Sequence, residues 1–284
     1  MAMVVDDRKA VMKSSYGAAA QGWDRWFEWY ERNFHPSIAW CCDAAGVGPG
    51  ATILDLGCGT GQPALPLARR VQPGGRVVAT DLAPEMLDVA RRRAERAGLK
   101  NIEFREMDAE YLDFQDQTFD AVTFAYGLMF CPDAGRVADE VRRVLKPGGR
   151  FVAVVWDDPS KSPFVTTAGQ AVAQFFPAQP PDPNVPGVFR FAKPGTFDDL
   201  LRTAGFVDVS VESRPMTLEC ASPAEYWAMF TDHAAGIKAK LAQLSEVDVA
   251  TLTAKVESAA DRYRDGDKIR LVATPLCARA VRPA

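Results

Sequence analysis

The sequence predicts an α/β fold in which a parallel sheet is covered by helices on both faces. Three observations carry this reading. Between Ala51 and Trp156, short apolar runs alternate with helical patterns. A glycine-dense turn, Gly57-Cys58-Gly59-Thr60-Gly61, directly follows the first run. Acidic residues, Asp81 and Asp108, follow the next two. Strand–helix–strand alternation builds a parallel sheet because each crossover lays its helix back across a face.

Five strands are expected, at residues 52–56, 76–80, 102–106, 121–125 and 150–156, each rich in Val, Ile or Phe and bounded by Gly, Pro or Asp. Helical patterns lie between them at 63–70, 84–97 and 134–145; Gly98 and Pro147-Gly148-Gly149 stop two of these. Residues 1–46 read as an N-terminal arm, helical from about residue 6, and 47–160 as the core. Residues 161–284 read as a cap plus closing strands. Within that last part, 170–191 is a Pro-rich irregular excursion carrying Pro177, Pro180, Pro181, Pro183 and Pro186. A helix at 197–204, a strand at 207–211, a helical stretch from 223 to about 264 and a final strand at 271–281 follow.

Composition narrows the function. Of the 284 residues, 48% are hydrophobic and 25% charged, an ordinary globular balance. The formal net charge of -4 supplies no basic field for nucleic acid or an anionic membrane. The run Arg91-Arg92-Arg93 beside Glu95 reads as a solvated helix face. Residues 1–13 lack the apolar centre of a signal peptide, and no stretch of about 18 apolar residues suggests membrane insertion. Six cysteines without a C-x-x-C pair and only two histidines, His35 and His233, suggest no zinc site. A reducing, cytoplasmic setting is expected.

The chemistry concentrates at the glycine turn. The strand ends in Ile53-Leu54-Asp55-Leu56, and a helix with Pro63 in its first turn follows Gln62. Glycines admit positive φ and let a ligand approach the backbone, and free N–H groups at a helix start favour its negative end. Asp81 stands where an acid accepts two ribose hydroxyls, or caps the helix opened by Pro84. Asp108 suits an exocyclic amino group, or closes a turn. All three points fall at the carboxyl ends of successive strands, where open α/β sheets bind ligands.

Residues 52–156 resemble the class I S-adenosylmethionine-dependent methyltransferases, in particular the ubiquinone/menaquinone-biosynthesis-like (methyltransferase type 11) group. The resemblance rests on Asp55-Leu56-Gly57-Cys58-Gly59-Thr60-Gly61, Asp81-Leu82-Ala83-Pro84-Glu85-Met86-Leu87 and Asp108-Ala109-Glu110. Phe119-Asp120-Ala121-Val122 and Leu145-Lys146-Pro147-Gly148-Gly149-Arg150 complete it. It implies a Rossmann-like seven-stranded sheet, mostly parallel with the last strand antiparallel, an N-terminal helical lid and a C-terminal helical cap. It further implies S-adenosylmethionine as cofactor. Gly57, Gly59 and Gly61, with Asp55 and Gln62 beside them, would pass under its methionine part, and Asp81 would hold the ribose. Leu82 and Met86 would flank the adenine, Asp108 and Ala109 would meet its edge, and the Ala125 carbonyl would face the ammonium. Tyr16 and Trp23 would close over the cofactor.

A nicotinamide oxidoreductase is the rival, since it also joins a glycine turn to an acid. Its G-x-G-x-x-G pattern differs from the present turn, which has Gln62 in the last place. A non-catalytic S-adenosylmethionine-binding protein is the other alternative. The expected reaction is O- or C-methylation of a small molecule: a secondary metabolite, a quinone-like compound or a sugar. Methyl transfer from a sulfonium needs alignment and exclusion of water, and a hydroxyl acceptor is helped by a base. His35, Tyr126 and His233 are the candidates for that part. Trp23, Trp26, Phe27, Tyr30 and Phe34 form an apolar helical face, as core or as lid. The partner expected is a small-molecule methyl acceptor, with the chain a monomer or homodimer.

Overall fold

Runs rich in Val, Ile and Leu form the strands of this chain, and helices with an apolar stripe cover them. The computed structural model describes residues 2–176 and 186–284. Helices α1 (Ala2–Arg25) and α2 (Phe27–Ala44) come first. The core runs β1 (Thr52–Leu56), α3 (Ala64–Arg70), β2 (Arg76–Asp81), α4 (Pro84–Arg96), β3 (Ile102–Glu106), β4 (Phe119–Ala125), α5 (Ala134–Val144) and β5 (Leu145–Trp156). Beyond it lie α6 (Pro163–Ala173), α7 (Thr196–Thr203), β6 (Val207–Ser213), β7 (Met216–Cys220) and α8 (Pro223–His233). The remaining elements are α9 (Ala235–Leu241), α10 (Glu246–Asp261), β8 (Arg264–Asp265), β9 (Lys268–Ala273) and β10 (Pro275–Val281).

Seven strands form one sheet in the order β3-β2-β1-β4-β5-β10-β6. The pairs β1/β2, β1/β4, β2/β3 and β4/β5 are parallel, and β10 runs antiparallel to both β5 and β6. This is the seven-stranded methyltransferase sheet that the resemblance implied. Phe151 to Trp156 are buried without a break, so both faces of β5 are covered. Strand order turns back between β1 and β4, which opens a crevice at their carboxyl ends.

Local sequence explains the helix limits. On α5, Val137, Ala138, Val141 and Val144 recur at helical spacing and are all buried. Asp133 caps its start by accepting from Arg136 N–H, worth about 1 kcal/mol. Helix α4 ends as the glycine signal predicts: Gly98 has φ +68, and Leu99 N–H reaches back to the Ala94 carbonyl.

Several expectations need correction. The final strand expected at 271–281 is two strands in different sheets, because the chain turns at Thr274-Pro275. Ser162 Oγ accepts from Thr274 N–H at that corner, and the Thr274 carbonyl accepts from Asp157 N–H. β9 joins β7 and β8 in a second, three-stranded antiparallel sheet. The helical stretch after 223 is three helices, with Ser222 and Ser245 capping α8 and α10. β5 starts at Leu145, which pairs with Phe119 ahead of the Pro-Gly-Gly group. Arg93 is not on a solvated face. It is buried, bonds the Thr60 carbonyl and Asp24, and lies 3.6 Å from the Phe27 ring centroid. Pro177, Pro180, Pro181 and Pro183 of the expected excursion lie outside the described residues.

Candidate active site

The glycine turn is tied to the end of β2 by its own backbone. Cys58 N–H donates to the Thr80 carbonyl, and Gly59 N–H donates to Asp81 Oδ2 at 2.9 Å. The glycines do different things. A Cβ on Gly57 would sit 2.7 Å from Phe124 Cε2, and one on Gly61 would sit 2.9 Å from Leu65 Cδ1, so both positions are closed by packing. Gly59 has φ +52 and would point a Cβ into open space. It is the place in the turn where a ligand can meet bare backbone.

Two carboxylates frame this opening. Asp81 Oδ1 accepts from Ala83 N–H at 2.9 Å, so with Gly59 both of its oxygens are anchored. Burial raises its carboxyl above the ordinary range, opposed by those N–H bonds. The cap and ligand readings of Asp81 are thereby compatible: the local bonds aim the carboxylate, whose further lone pairs can accept hydroxyls. Asp55 is fully buried in β1. Its Oδ1 accepts from Thr123 Oγ1 at 2.6 Å, and its Oδ2 has no partner among the described residues. Burial pushes this carboxyl up to about 7, while Thr123 pulls it down.

The third strand end carries more than the sequence showed. Asp108 Oδ1 accepts from Glu110 N–H, which is the turn contact that was the alternative for this residue. Its Oδ2 lies 2.6 Å from Lys9 Nζ, and Lys9 also meets the buried Glu110 at 2.6 Å. An exocyclic amine approaching Asp108 therefore shares the carboxylate with Lys9. Ala109 lies within this turn, half-buried. Neither Lys9 nor Glu110 was expected here. No spacing signal links a lysine on the first helix to a turn 99 residues later.

Helix α1 lies against this edge. Tyr16 and Trp23 pack on Ala20, Ala83, Met86 and Val89, with Leu82 beside them at the start of the same segment. The Tyr16 ring meets Phe130 edge-on at 6.1 Å. Gly22 allows a close seat on α8, since a Cβ there would lie 2.2 Å from the Asp232 carbonyl oxygen. Trp23 Nε1 is buried and has no hydrogen-bond partner among the described residues.

The catalytic candidates separate. Ala125 ends β4 in register with Val154, and Tyr126 follows it at φ +60, a left-handed conformation that is costly for a side chain of this size. Tyr126 Oη donates to Ser37 Oγ at 3.0 Å, and its ring packs against Phe34 and Trp156. His233 closes α8, with Nε2 2.8 Å from Tyr30 Oη and Nδ1 on the Met229 carbonyl. His35 is exposed and joins neither. It lines an open cleft of about 770 Å³ with Gln62, Arg69 and Arg96, while Phe34 and Ser37 take the buried face of α2. Gln62 also lines this outer cleft.

Residues 53–149 match the methyltransferase domain family. In sequence this core is similar to methyltransferase domains. Its sequence is 48% identical over 112 residues to a demethylmenaquinone methyltransferase of Thermus thermophilus, covering 39% of this chain and 50% of that one. An uncharacterized protein of Mycobacterium tuberculosis is 42% identical over 113 residues, 40% of each chain. The chain thus spans about half or less of the length of the curated relatives it matches, from 40% to 54%. In fold, YcgJ of Bacillus subtilis aligns at a TM-score of 0.58 with 22% identity, over 88% of this chain and 99% of its own. The [4+2]-cyclase SpnF aligns at 0.55 with 21% identity, over 88% and 81%. These two likenesses show the fold alone.

Proposed function

We propose that the protein transfers a methyl group from S-adenosylmethionine to a ring-bearing small molecule, by O- or C-methylation. The observation that carries this is Gly59: its bare, left-handed backbone faces open space while its N–H holds the Asp81 carboxylate. The residues present fit the cofactor, since the bare Gly59 backbone, where a Cβ would meet nothing within 4 Å, stands beside the anchored Asp81 carboxylate.

In this reading the backbone from Gly57 to Gly61 carries the methionine part, with Asp55 behind it. Asp81 accepts the ribose hydroxyls, Leu82 and Met86 hold the adenine, and Asp108 with Ala109 meets its edge. The Ala125 carbonyl faces the ammonium, and Tyr16 and Trp23 shield the site from water. When bound, S-adenosylmethionine supplies an electrophilic methyl whose departure leaves a neutral thioether. The chain's task is then alignment and exclusion of solvent. The aromatic side chains around Tyr126 support a flat acceptor over a sugar, and the matched Thermus protein, a demethylmenaquinone methyltransferase, supports a quinone-like one. Six unpaired cysteines support a reducing compartment.

Calorimetric titration with S-adenosylmethionine, its demethylated product, NAD and NADP tests this reading. Binding of the first pair alone is the expected result. Binding of a dinucleotide alone would replace the methyltransferase by an oxidoreductase.

A further inference from the structure

The aromatic cluster between α1, α2 and α8 contains a hydrogen-bonded Tyr30–His233 pair with the Trp23 ring packed against both. Nδ1 of His233 lies on the Met229 carbonyl, which can only accept, so Nδ1 carries the hydrogen. Nε2 then carries the lone pair, to which Tyr30 Oη donates across 2.8 Å; burial lowers the imidazole to about 4 and keeps the ring neutral. Trp23 packs tilted on Tyr30 at 4.5 Å and meets His233 edge-on at 4.9 Å, and its buried Nε1–H has no partner among the described residues. A phenol and an imidazole lone pair thus meet beside the aromatic rings of Phe34 and Phe230, with the Trp23 indole packed on both. The same Trp23 packs on Met86, and Phe34 links Tyr30 to Tyr126, so the group joins both sides of the proposed site.

We propose that His233 accepts the proton of a ring hydroxyl on the methyl acceptor, with Tyr30 holding Nε2 ready and Trp23 N–H binding the acceptor's oxygen. This rests on the methyltransferase reading and names its substrate class, a hydroxylated aromatic ring. The hydroxyl takes Tyr30's place at Nε2. Its proton passes to Nε2, the oxygen's electron pair forms the new bond to the methyl carbon, and the carbon–sulfur bond breaks with its pair left on sulfur. Tyr30 is a positioning residue: it keeps the imidazole's lone pair directed inward and yields to the stronger fit of the acceptor.

The test uses the full chain with ¹⁵N-labelled histidine rings, where two residues give two sets of signals, and His233→Gln identifies one of them. 2-Naphthol is the probe, and 2-methoxynaphthalene, which lacks the proton, is the control. Titration with 2-naphthol is expected to shift the His233 Nε2 signal saturably, and the control is expected to leave it in place. Tyr30→Phe, which removes the competing donor, should tighten 2-naphthol by roughly fivefold, and Trp23→Phe should weaken it by a similar factor. His233→Gln should lower turnover of 2-naphthol by roughly 10²-fold or more while S-adenosylmethionine affinity stays within about twofold. An unmoved His233 signal, or an equal shift by the methoxy compound, overturns the proposal. The titration runs without cofactor, so it decides the point even if His233→Gln fails to fold. Failure of S-adenosylmethionine to bind would overturn the methyltransferase reading instead, separately from the naphthol result.

Discussion

Gly59 gives its backbone N–H to Asp81 Oδ2 at 2.9 Å, so the glycine turn and the end of the second strand act as one unit. Replacing Asp81 by Ala removes both the proposed ribose acceptor and the anchor of the turn. The expected loss in S-adenosylmethionine affinity is about 1–3 kcal/mol, measured by calorimetry. Unchanged affinity would show that the ribose lies elsewhere.

Asp55 should make stability depend on pH in the opposite sense to a salt-bridged carboxylate. Burial lifts its folded value from 3.8 to about 7. Between those values the unfolded chain has released the proton and the folded chain holds it. Its contribution therefore falls as pH rises through that window, by up to about 1.4 kcal/mol per unit, and levels off above it. Asp55→Asn, which has no charge to bury, should gain on the parent between pH 5 and pH 8 in urea titrations. An equal difference at both pH values would place the titration outside this site.

Lys9 bridges Asp108 and the buried Glu110 from the first helix. Lys9→Met leaves Glu110 a buried charge without its cation, and is expected to cost about 1–3 kcal/mol in denaturant unfolding. It should also raise exchange of the α1 amides, read by hydrogen–deuterium exchange. A variant as stable as the parent would mean that the bridge contributes only orientation.

His35 is exposed on the outer face of α2, away from Tyr126 and His233. His35→Ala should leave turnover within about twofold of the parent, in contrast to His233→Gln. A large loss of turnover would move the acceptor to the outer cleft.

The core was legible because its signals are local. The Val- and Ile-rich runs, the glycine turn and the Gly98 stop are each set by neighbouring residues, and β1 and β3 match their expected bounds. The break at Thr274 was not legible, because an uninterrupted apolar pattern does not say that its two halves pair with different partners, β9 with β7 and β10 with β5. Arg93 looked solvated for a similar reason: charge predicts exposure until distant groups, here Asp24 and the Thr60 carbonyl, satisfy it. At the proposed site, the acids and glycines were legible as residue types at strand ends. Lys9 and the pairing of Tyr30 with His233 were not, since Asp108 and His233 are brought to them only by tertiary packing.

The position of β10 between β5 and β6 governs the order in which the protein can be made. Residues 207–213 emerge during synthesis well before 275–281, yet they have no place in the sheet until β10 has paired with β5. A growing chain can assemble the glycine turn and its acids early, while the β6 edge waits for its neighbour. Translation that stalls before Pro275 would therefore leave a cofactor pocket beside an open sheet edge, the kind of surface that quality-control proteases and chaperones recognise.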